Sequence, residues 1–205
     1  MLLFAPIGWL MDHLGYFPPK PADAYIDEYC EIMEAFQKGD IAFLEQFESD
    51  REKFPDGNDR FVNRRWIDLA IDCGNLDSFK WVLDRVKNLD SIDDEGFSAL
   101  TSAISNEADD KFHKDPDTAF EMVRILVEKG ADVNLLHSLD ETPLHYAAKS
   151  GSLRTIDLLL QCGADPHAYT SDYTPETPVH WAQRAERNDV VELLVKSKRK
   201  YARRR

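Results

Sequence analysis

The apolar and polar positions of this 205-residue chain follow a pattern that returns about every 33 residues. In the clearest block, residues 141–167, the sequence reads ETPLHYAAKSGSLRTIDLLLQCGADPH. Its two halves carry apolar residues three or four positions apart, and a Ser-Gly-Ser turn separates them. This pattern predicts a pair of short amphipathic helices joined by a tight turn.

Four further blocks carry the same pattern in weaker form. Copies begin at Gly96 and Glu176, and more diverged copies begin at Asn63 and Tyr25. An insertion at residues 106–118 lengthens the Gly96 copy. Because no single helix pair can bury its own apolar face, the copies must stack to form one continuous core.

Local chemistry predicts where the helices begin and end. Thr142 and Thr177 are good N-cap residues, and each is followed by a proline at the first helical position, where a missing N–H costs nothing. Asp115 is expected to begin the helix after the insertion in the same way. Gly130 and Gly163 are expected to end the second helices in the left-handed conformation.

The segments TPLHYAA and TPVHWA, together with two GAD turns in the same register, resemble the ankyrin repeat. The resemblance covers about residues 25–196 and implies an all-α fold, an ankyrin-repeat solenoid of about five helix-turn-helix repeats with diverged terminal copies. It also implies that His145 and His180, the histidines of the motif, are structural residues that hydrogen-bond between neighbouring repeats.

The two ends of the chain differ from the repeats. Residues 1–24 begin with the apolar run MLLFAPIGWLM, which lacks the basic stretch and cleavage site of a signal peptide and is too short to cross a bilayer as a helix. We expect this segment to pack on the first repeat, with a secretory or membrane-anchoring role as the alternative. Residues 197–205, SKRKYARRR, form a basic tail. It is either a solubilising end of the last helix or a signal or contact for nuclear import, anionic lipid or RNA.

The charge of the chain limits the kinds of molecule that we expect it to bind. The formal net charge is −13, although residues 196–205 contain seven Lys or Arg and no Asp or Glu. The rest of the chain is therefore strongly acidic and repels phosphate backbones, which argues against nucleic acid. A protein with a basic surface is the favoured partner.

The sequence offers no recognisable catalytic, cofactor or metal-binding motif. His113, His137 and His167 have no partner residues at metal-ligand spacing, and the acidic clusters lack the spacing of a calcium loop. Nucleotide-binding loops and nucleophile motifs are absent from the sequence. We expect a non-enzyme without cofactor, metal or small-molecule substrate, and membrane association is not favoured. Three cysteines that form neither a disulfide framework nor a zinc spacing favour the cytoplasm.

The resemblance also implies where a partner binds, since ligands of this family usually lie on the concave side, against the loop tips and the first helix of each repeat. Leu136 and Leu139 stand where polar residues are common, and Asp140 replaces the usual turn glycine. These apolar side chains indicate an interface, or they fold back onto Tyr173 or a neighbouring tip. The predicted partner-binding residues are Asp94, Glu95, Phe97, Leu136, Ser138, Leu139, Glu141, Tyr146, Lys149, Tyr173, Glu176, Trp181 and Arg184.

The expected function is therefore protein–protein interaction. A more specific hypothesis is an inhibitor or immunity-type protein that occludes an enzyme or toxin. The alternative is a scaffold or targeting adaptor that uses the basic tail for localisation.

Overall fold

The computed structural model of the chain describes residues 23–49, 54–59, 63–107 and 115–202. Within these ranges the structure is helical, and the regular elements beyond the helices are a single 3₁₀ turn and an isolated bridge between Asn58 and Arg65. The described helices make five consecutive pairs, which confirms the all-α repeat architecture. Most of the predicted N-terminal segment, residues 108–114 of the insertion and the end of the basic tail lie outside the described residues.

The chain divides into two compact units, residues 1–86 and residues 87–205. The first unit holds two helix pairs, in which α1 lies against α3 and α2 against α4. Phe36, Leu44, Leu69 and Phe79, one from each helix, are fully buried and form its core. The helices are α1 (Asp23–Lys38), α2 (Ile41–Ser49), α3 (Trp66–Cys73) and α4 (Leu76–Leu83).

A buried ion pair holds the start of α3. The side chain of Arg65 donates two hydrogen bonds to Asp68, Nε to Oδ2 at 2.5 Å and Nη2 to Oδ1 at 2.8 Å. Burial raises the pKa of Asp68, and Arg65 opposes that rise. Because both groups are buried, removing either partner would leave the other charge less well compensated, so we assign the pair a structural role.

The second unit contains three helix pairs that stack in register. The first helices α5, α7 and α9 pack side by side, and the second helices α6, α8 and α10 do the same. The two clearest copies of the sequence pattern therefore lie next to each other, as predicted. The helices are α5 (Ala99–Asn106), α6 (Pro116–Glu128), α7 (Pro143–Ser150), α8 (Leu153–Gln161), α9 (Pro178–Arg184) and α10 (Asn188–Ala202).

The predicted caps are present. Thr142 and Thr177 precede α7 and α9, with a proline in the first turn of each helix. The backbone N–H of Thr142 donates to Nδ1 of His145 at 3.1 Å, and that of Thr177 donates to His180 at 2.9 Å. Asp115 begins α6 by accepting from a backbone N–H of the first turn. Each capping side chain thus satisfies a backbone donor that has no partner within the helix.

Gly151, between α7 and α8, stands at a position where a side chain would clash with the protein. Gly130 and Gly163 have φ 94°, as expected for the left-handed ends of helices. Gly151 instead has φ −71°, which any residue adopts. A Cβ there would lie 2.9 Å from Cα of Ala147, which is closer than real Cβ atoms come. The chain can turn away from the end of α7 in this way only because position 151 has no side chain to meet the last turn of that helix.

Two long-range polar contacts join neighbouring repeats of the second unit. Arg187, at the turn between α9 and α10, donates to the carbonyls of Ala147 and Ala148 at 3.0 and 3.1 Å. It also donates to the carbonyl of Gly151 at 2.5 Å, so one guanidinium satisfies the C-terminal end of α7. On the other side, the carboxylate of Glu107 accepts from the backbone N–H of Ser152 at 2.7 Å.

Candidate protein-binding surface

Three loops lie side by side along one edge of the second unit, and we call them the tip loops. The backbone N–H of Asp132 donates to a carboxylate oxygen of Asp90 in the preceding loop at 2.9 Å. The backbone N–H of Ser171 donates to the carbonyl of Leu139 at 2.7 Å. Each loop is therefore tied to its neighbour. The tip loops are residues 88–97, 132–141 and 165–176.

Three predicted binding residues form a row of aromatic rings beside the tip loops. The ring of Tyr146 lies 5.5 Å from that of Phe97 and 5.6 Å from that of Trp181. Trp181 is only 8% exposed, whereas Phe97 and Tyr146 are half-buried. The aromatic row (Phe97, Tyr146 and Trp181) thus links three consecutive repeats and is only partly exposed to solvent.

Hydrogen bonds and ion pairs fix the polar residues around the aromatic row. The hydroxyl of Tyr146 donates to Oε2 of Glu141 at 2.5 Å. Burial, followed by the hydrogen bond to Glu141, raises the pKa of Tyr146. Arg184 lies 3.0 Å from a carboxylate oxygen of Glu176, and its guanidinium is 5.7 Å from the ring centre of Trp181.

The remaining predicted residues are exposed on the tip loops or on α7. Leu136 is 56% exposed and Leu139 is 55% exposed, so neither folds back into the protein. The side chain of Tyr173 is fully exposed. The polar members of this exposed group are Asp94, Glu95, Ser138 and Lys149.

Two further apolar side chains on the tip loops were not predicted. Ile92 and Tyr169 are also exposed. Among the described residues, five of the seven large hydrophobic side chains that face solvent lie on these three loops. The sequence gives no periodic signal for residues in irregular loops, so their exposure emerged only from the structure. An exposed group of this kind is typical of an interaction site.

The tip loops are also strongly acidic. They contain ten Asp or Glu residues and no Lys or Arg. Several of the carboxylates accept backbone hydrogen bonds within their own loops, as Asp93 does from Phe97 at 2.8 Å. With ten acidic residues and no Lys or Arg on the three loops, the exposed apolar side chains lie in a negative field. The acidic residues are Asp90, Asp93, Asp94, Glu95, Asp132, Asp140, Glu141, Asp165, Asp172 and Glu176.

The motif histidine His145 links two repeats, as the resemblance implied. Its Nε2 lies 3.2 Å from the carbonyl oxygen of Glu176, which belongs to the next repeat. Burial lowers the pKa of His145 to about 4, and the hydrogen bond to Glu176 partly opposes this shift. His145 therefore serves as a neutral structural link.

A different histidine makes the corresponding link one repeat earlier, where Thr101 occupies the motif position. Nε2 of His137 lies 3.2 Å from Oγ of Ser98 and 3.3 Å from Oγ1 of Thr101. Its Nδ1 lies 3.1 Å from the carbonyl oxygen of Glu141. Burial lowers the pKa of His137 as well. Helix α5 has no histidine at the motif position, and His137 of a tip loop supplies the imidazole instead. The sequence analysis did not predict this contact.

The turn at Leu139 and Asp140 has an unusual backbone. Their φ angles are 61° and 58°, in the left-handed region that favours glycine. Asp140 is equivalent to Gly96 of the preceding tip loop, which has φ 88°, whereas Glu95, equivalent to Leu139, has no positive φ. Asp140 thus adopts the left-handed conformation in place of the turn glycine, and Leu139 adds a second left-handed residue that the preceding loop lacks.

Among the described residues, no group of three or more His, Cys, Asp or Glu is placed to hold a metal ion. In the same part of the chain, no helix combines the length and apolarity needed to span a bilayer.

Comparison with known proteins agrees with the repeat pattern. A family model described as ankyrin repeats in three copies matches residues 68–170 and 117–204. Ankyrin repeat domain-containing protein 63 of Homo sapiens is 32% identical over 133 residues, which are 64% of this chain and 33% of that protein. The probable 26S proteasome regulatory subunit p28 of Saccharomyces cerevisiae is 32% identical over 135 residues, 63% of this chain and 54% of that protein.

A shorter match, 38% identical over 71 residues, joins 34% of this chain to 9% of the ARF GTPase-activating protein GIT2 of Homo sapiens. The chain thus spans about half or less of the length of each of these relatives. Ankyrin repeats generally mediate protein–protein interaction and are typically not catalytic. The family model covers more than half of the chain, and its matched residues contain the stacked helix pairs described above. This chain belongs to the ankyrin-repeat family.

Proposed function

We propose that this protein binds another protein through the tip loops and the adjoining aromatic row, and that the partner presents a basic surface. The observation that carries the proposal is the combination on one edge of exposed apolar side chains with ten carboxylates and no Lys or Arg. Apolar area contributes affinity, while the charge selects the partner and accelerates association. The general role of ankyrin repeats supports the same function.

The predicted residues divide into two roles in this proposal. Leu136, Leu139 and Tyr173 project into solvent and are positioned to enter pockets of the partner. In the aromatic row, Phe97 and Tyr146 are half-buried and contact the partner, whereas Trp181 is buried and packs against Tyr146. Aromatic residues at such positions contribute contact area at low entropic cost. The acidic residues surround both groups and pair with Arg or Lys side chains.

The finer hypothesis is that binding inhibits the partner. The acidic tip surface suits an enzyme or toxin whose active surface is basic, and covering that surface would block its substrate. No chemistry of the ankyrin chain is required, which agrees with the typically non-catalytic character of the family. We place this activity in the cytoplasm on the cysteine pattern of the sequence.

A scaffold or adaptor role is the second candidate, and the basic tail at residues 197–205 is the observation that favours it. Helix α10 continues across the predicted start of this tail to Ala202. The tail is opposite in charge to the tip loops, so one chain could bind a protein with one part and a location signal with another. In this case, deleting residues 197–205 mislocalises the protein while its unfolding midpoint stays unchanged.

The test is affinity capture from the native source at low salt with two charge-reversal variants. The first variant, D94K/E95K, reverses two exposed carboxylates on a tip loop. The matched control, D157K/D189K, makes the same change in net charge at two exposed positions on α8 and α10. We expect a basic protein to be retained by the wild type and by the control, to be lost from D94K/E95K, and to elute as salt is raised.

Loss from both variants, or retention by both, would contradict the assignment of the site to the tip loops. The recovered partner then distinguishes the two roles. An inhibitor abolishes the activity of its partner at saturation, whereas full activity in the complex excludes inhibition and leaves the adaptor role.

A further inference from the structure

The backbone of the turn at Leu139 and Asp140 is costly for the residues that occupy it. In the left-handed conformation Cβ comes too close to the following carbonyl oxygen, which is why glycine usually fills such positions. In the repeat just before this one, Gly96 stands at the position of Asp140, and Glu95, at the position of Leu139, has no positive φ. In this chain a leucine with φ 61° and ψ 26° precedes an aspartate with φ 58°.

Packing within the protein does not explain why position 139 holds a leucine. Its side chain is 55% exposed, so it contributes little to the core. The neighbouring loop holds the turn through a backbone hydrogen bond, which the carbonyl of Leu139 accepts from the N–H of Ser171 at 2.7 Å. A glycine at position 139 would keep that bond and relieve the backbone strain.

The surroundings of Leu139 indicate what its side chain is for. Tyr169 and Tyr173 on the next tip loop and Leu136 on the same loop are also exposed. The acidic residues Asp140 and Asp172 flank this apolar group on the two adjacent loops. An apolar side chain that faces solvent from a strained turn, within a field of carboxylates, suits a pocket in a basic partner.

We infer that Leu139 is the principal apolar anchor of the tip surface, held outward by the left-handed turn to enter an apolar pocket flanked by Arg or Lys side chains of the partner. The leucine thus lowers the stability of the free protein and raises its affinity for the partner. This inference rests on the proposed function and adds to it the residue that selects the partner.

The test uses three synthetic nine-residue peptides as probes. Each peptide repeats one triplet three times, and the triplets are Arg-Leu-Arg, Arg-Ser-Arg and Glu-Leu-Glu. The two arginine peptides have the same charge and differ only in the apolar residue. The Arg-Leu-Arg and Glu-Leu-Glu peptides have the same leucines and opposite charge. Binding to the full chain is followed by NMR shifts of the tip-loop amides. The variants are L139A and L139G, with L153A as the matched control, because Leu153 is also exposed but lies on α8.

We expect the Arg-Leu-Arg peptide to shift the tip-loop amides and the Glu-Leu-Glu peptide to leave them unchanged. Both substitutions of Leu139 should raise the dissociation constant of the Arg-Leu-Arg peptide about tenfold, to the value of the Arg-Ser-Arg peptide. L153A should leave it unchanged. In urea, L139G should have an unfolding constant about tenfold smaller than L139A, because alanine keeps the backbone strain that glycine relieves.

The possible failures are distinct. If the Arg-Leu-Arg peptide binds to the tip loops of the wild type, L139A and L139G with equal affinity, Leu139 is not the anchor. The proposed function then still stands. If L139G is no more stable than L139A, the strained turn is not the reason for the exposure of the leucine. If neither arginine peptide shifts the tip-loop amides, or the acidic peptide does, the basic partner itself is wrong.

Discussion

Protonation of His145 should destabilise the protein as the pH falls. The backbone N–H of Thr142 can only donate, so Nδ1 of His145 must accept, and the proton of the neutral ring lies on Nε2. From there it points to the carbonyl oxygen of Glu176, 3.2 Å away. A second proton on Nδ1 would face the N–H of Thr142 inside a fully buried site. Protonation of His145 is therefore unfavourable in the folded protein.

The magnitude follows from the two pKa values. Burial lowers the pKa of His145 to about 4 in the folded protein, whereas the unfolded chain has the ordinary value of about 6.5. As the pH falls through this window the unfolded chain takes up the proton first, so the free energy of unfolding decreases. The stabilisation is complete above about pH 6.5. About 2 kcal/mol is lost at pH 5, and about 3 kcal/mol is lost once the pH is below the folded value.

The assay is urea unfolding of the wild type and H145Q at pH 7.5 and pH 5. Glutamine keeps a donor and an acceptor but does not titrate, while every other ionisable group is common to both proteins. We expect H145Q to be the less stable protein at pH 7.5 and the difference to shrink by about 2 kcal/mol at pH 5. A difference that changes by less than about 0.5 kcal/mol, or an NMR pKa of His145 near 6.5, would refute the reasoning.

The remaining predictions concern stability. Leu144→Ala and Leu159→Ala each remove a fully buried side chain of the second unit, and urea unfolding should show losses of about 2–5 kcal/mol. Losses below about 1 kcal/mol in both would contradict the register of the repeats. Arg187→Met removes hydrogen bonds to three carbonyls at the end of α7 and should cost about 2–3 kcal/mol. The exposed Arg184→Met is the control, and equal losses in the two methionine variants would exclude this contact as a major contribution.

The sequence by itself determined the repeat, its helix pairs and most of their ends. A capping threonine, a proline in the first turn and a motif histidine act within four residues of each other, as at Thr142, Pro143 and His145. Such short-range chemistry is readable along the chain because the contacting groups are neighbours in sequence. The stacking of adjacent copies also followed, since a helix pair cannot bury its apolar face alone. The acidity of the loops was visible in composition.

Only the tertiary structure decided which side chains connect the repeats and which face solvent. His137 reaches Ser98 across 39 positions, and Arg187 reaches Gly151 across 36 positions. Neither residue stands at a position of the repeat motif, so the sequence pattern does not indicate these contacts. Leu139 adopts a left-handed backbone conformation that its residue type disfavours. Local propensity cannot specify these features, because contacts between repeats and the hydrogen bond from the next loop fix them only once the copies have stacked.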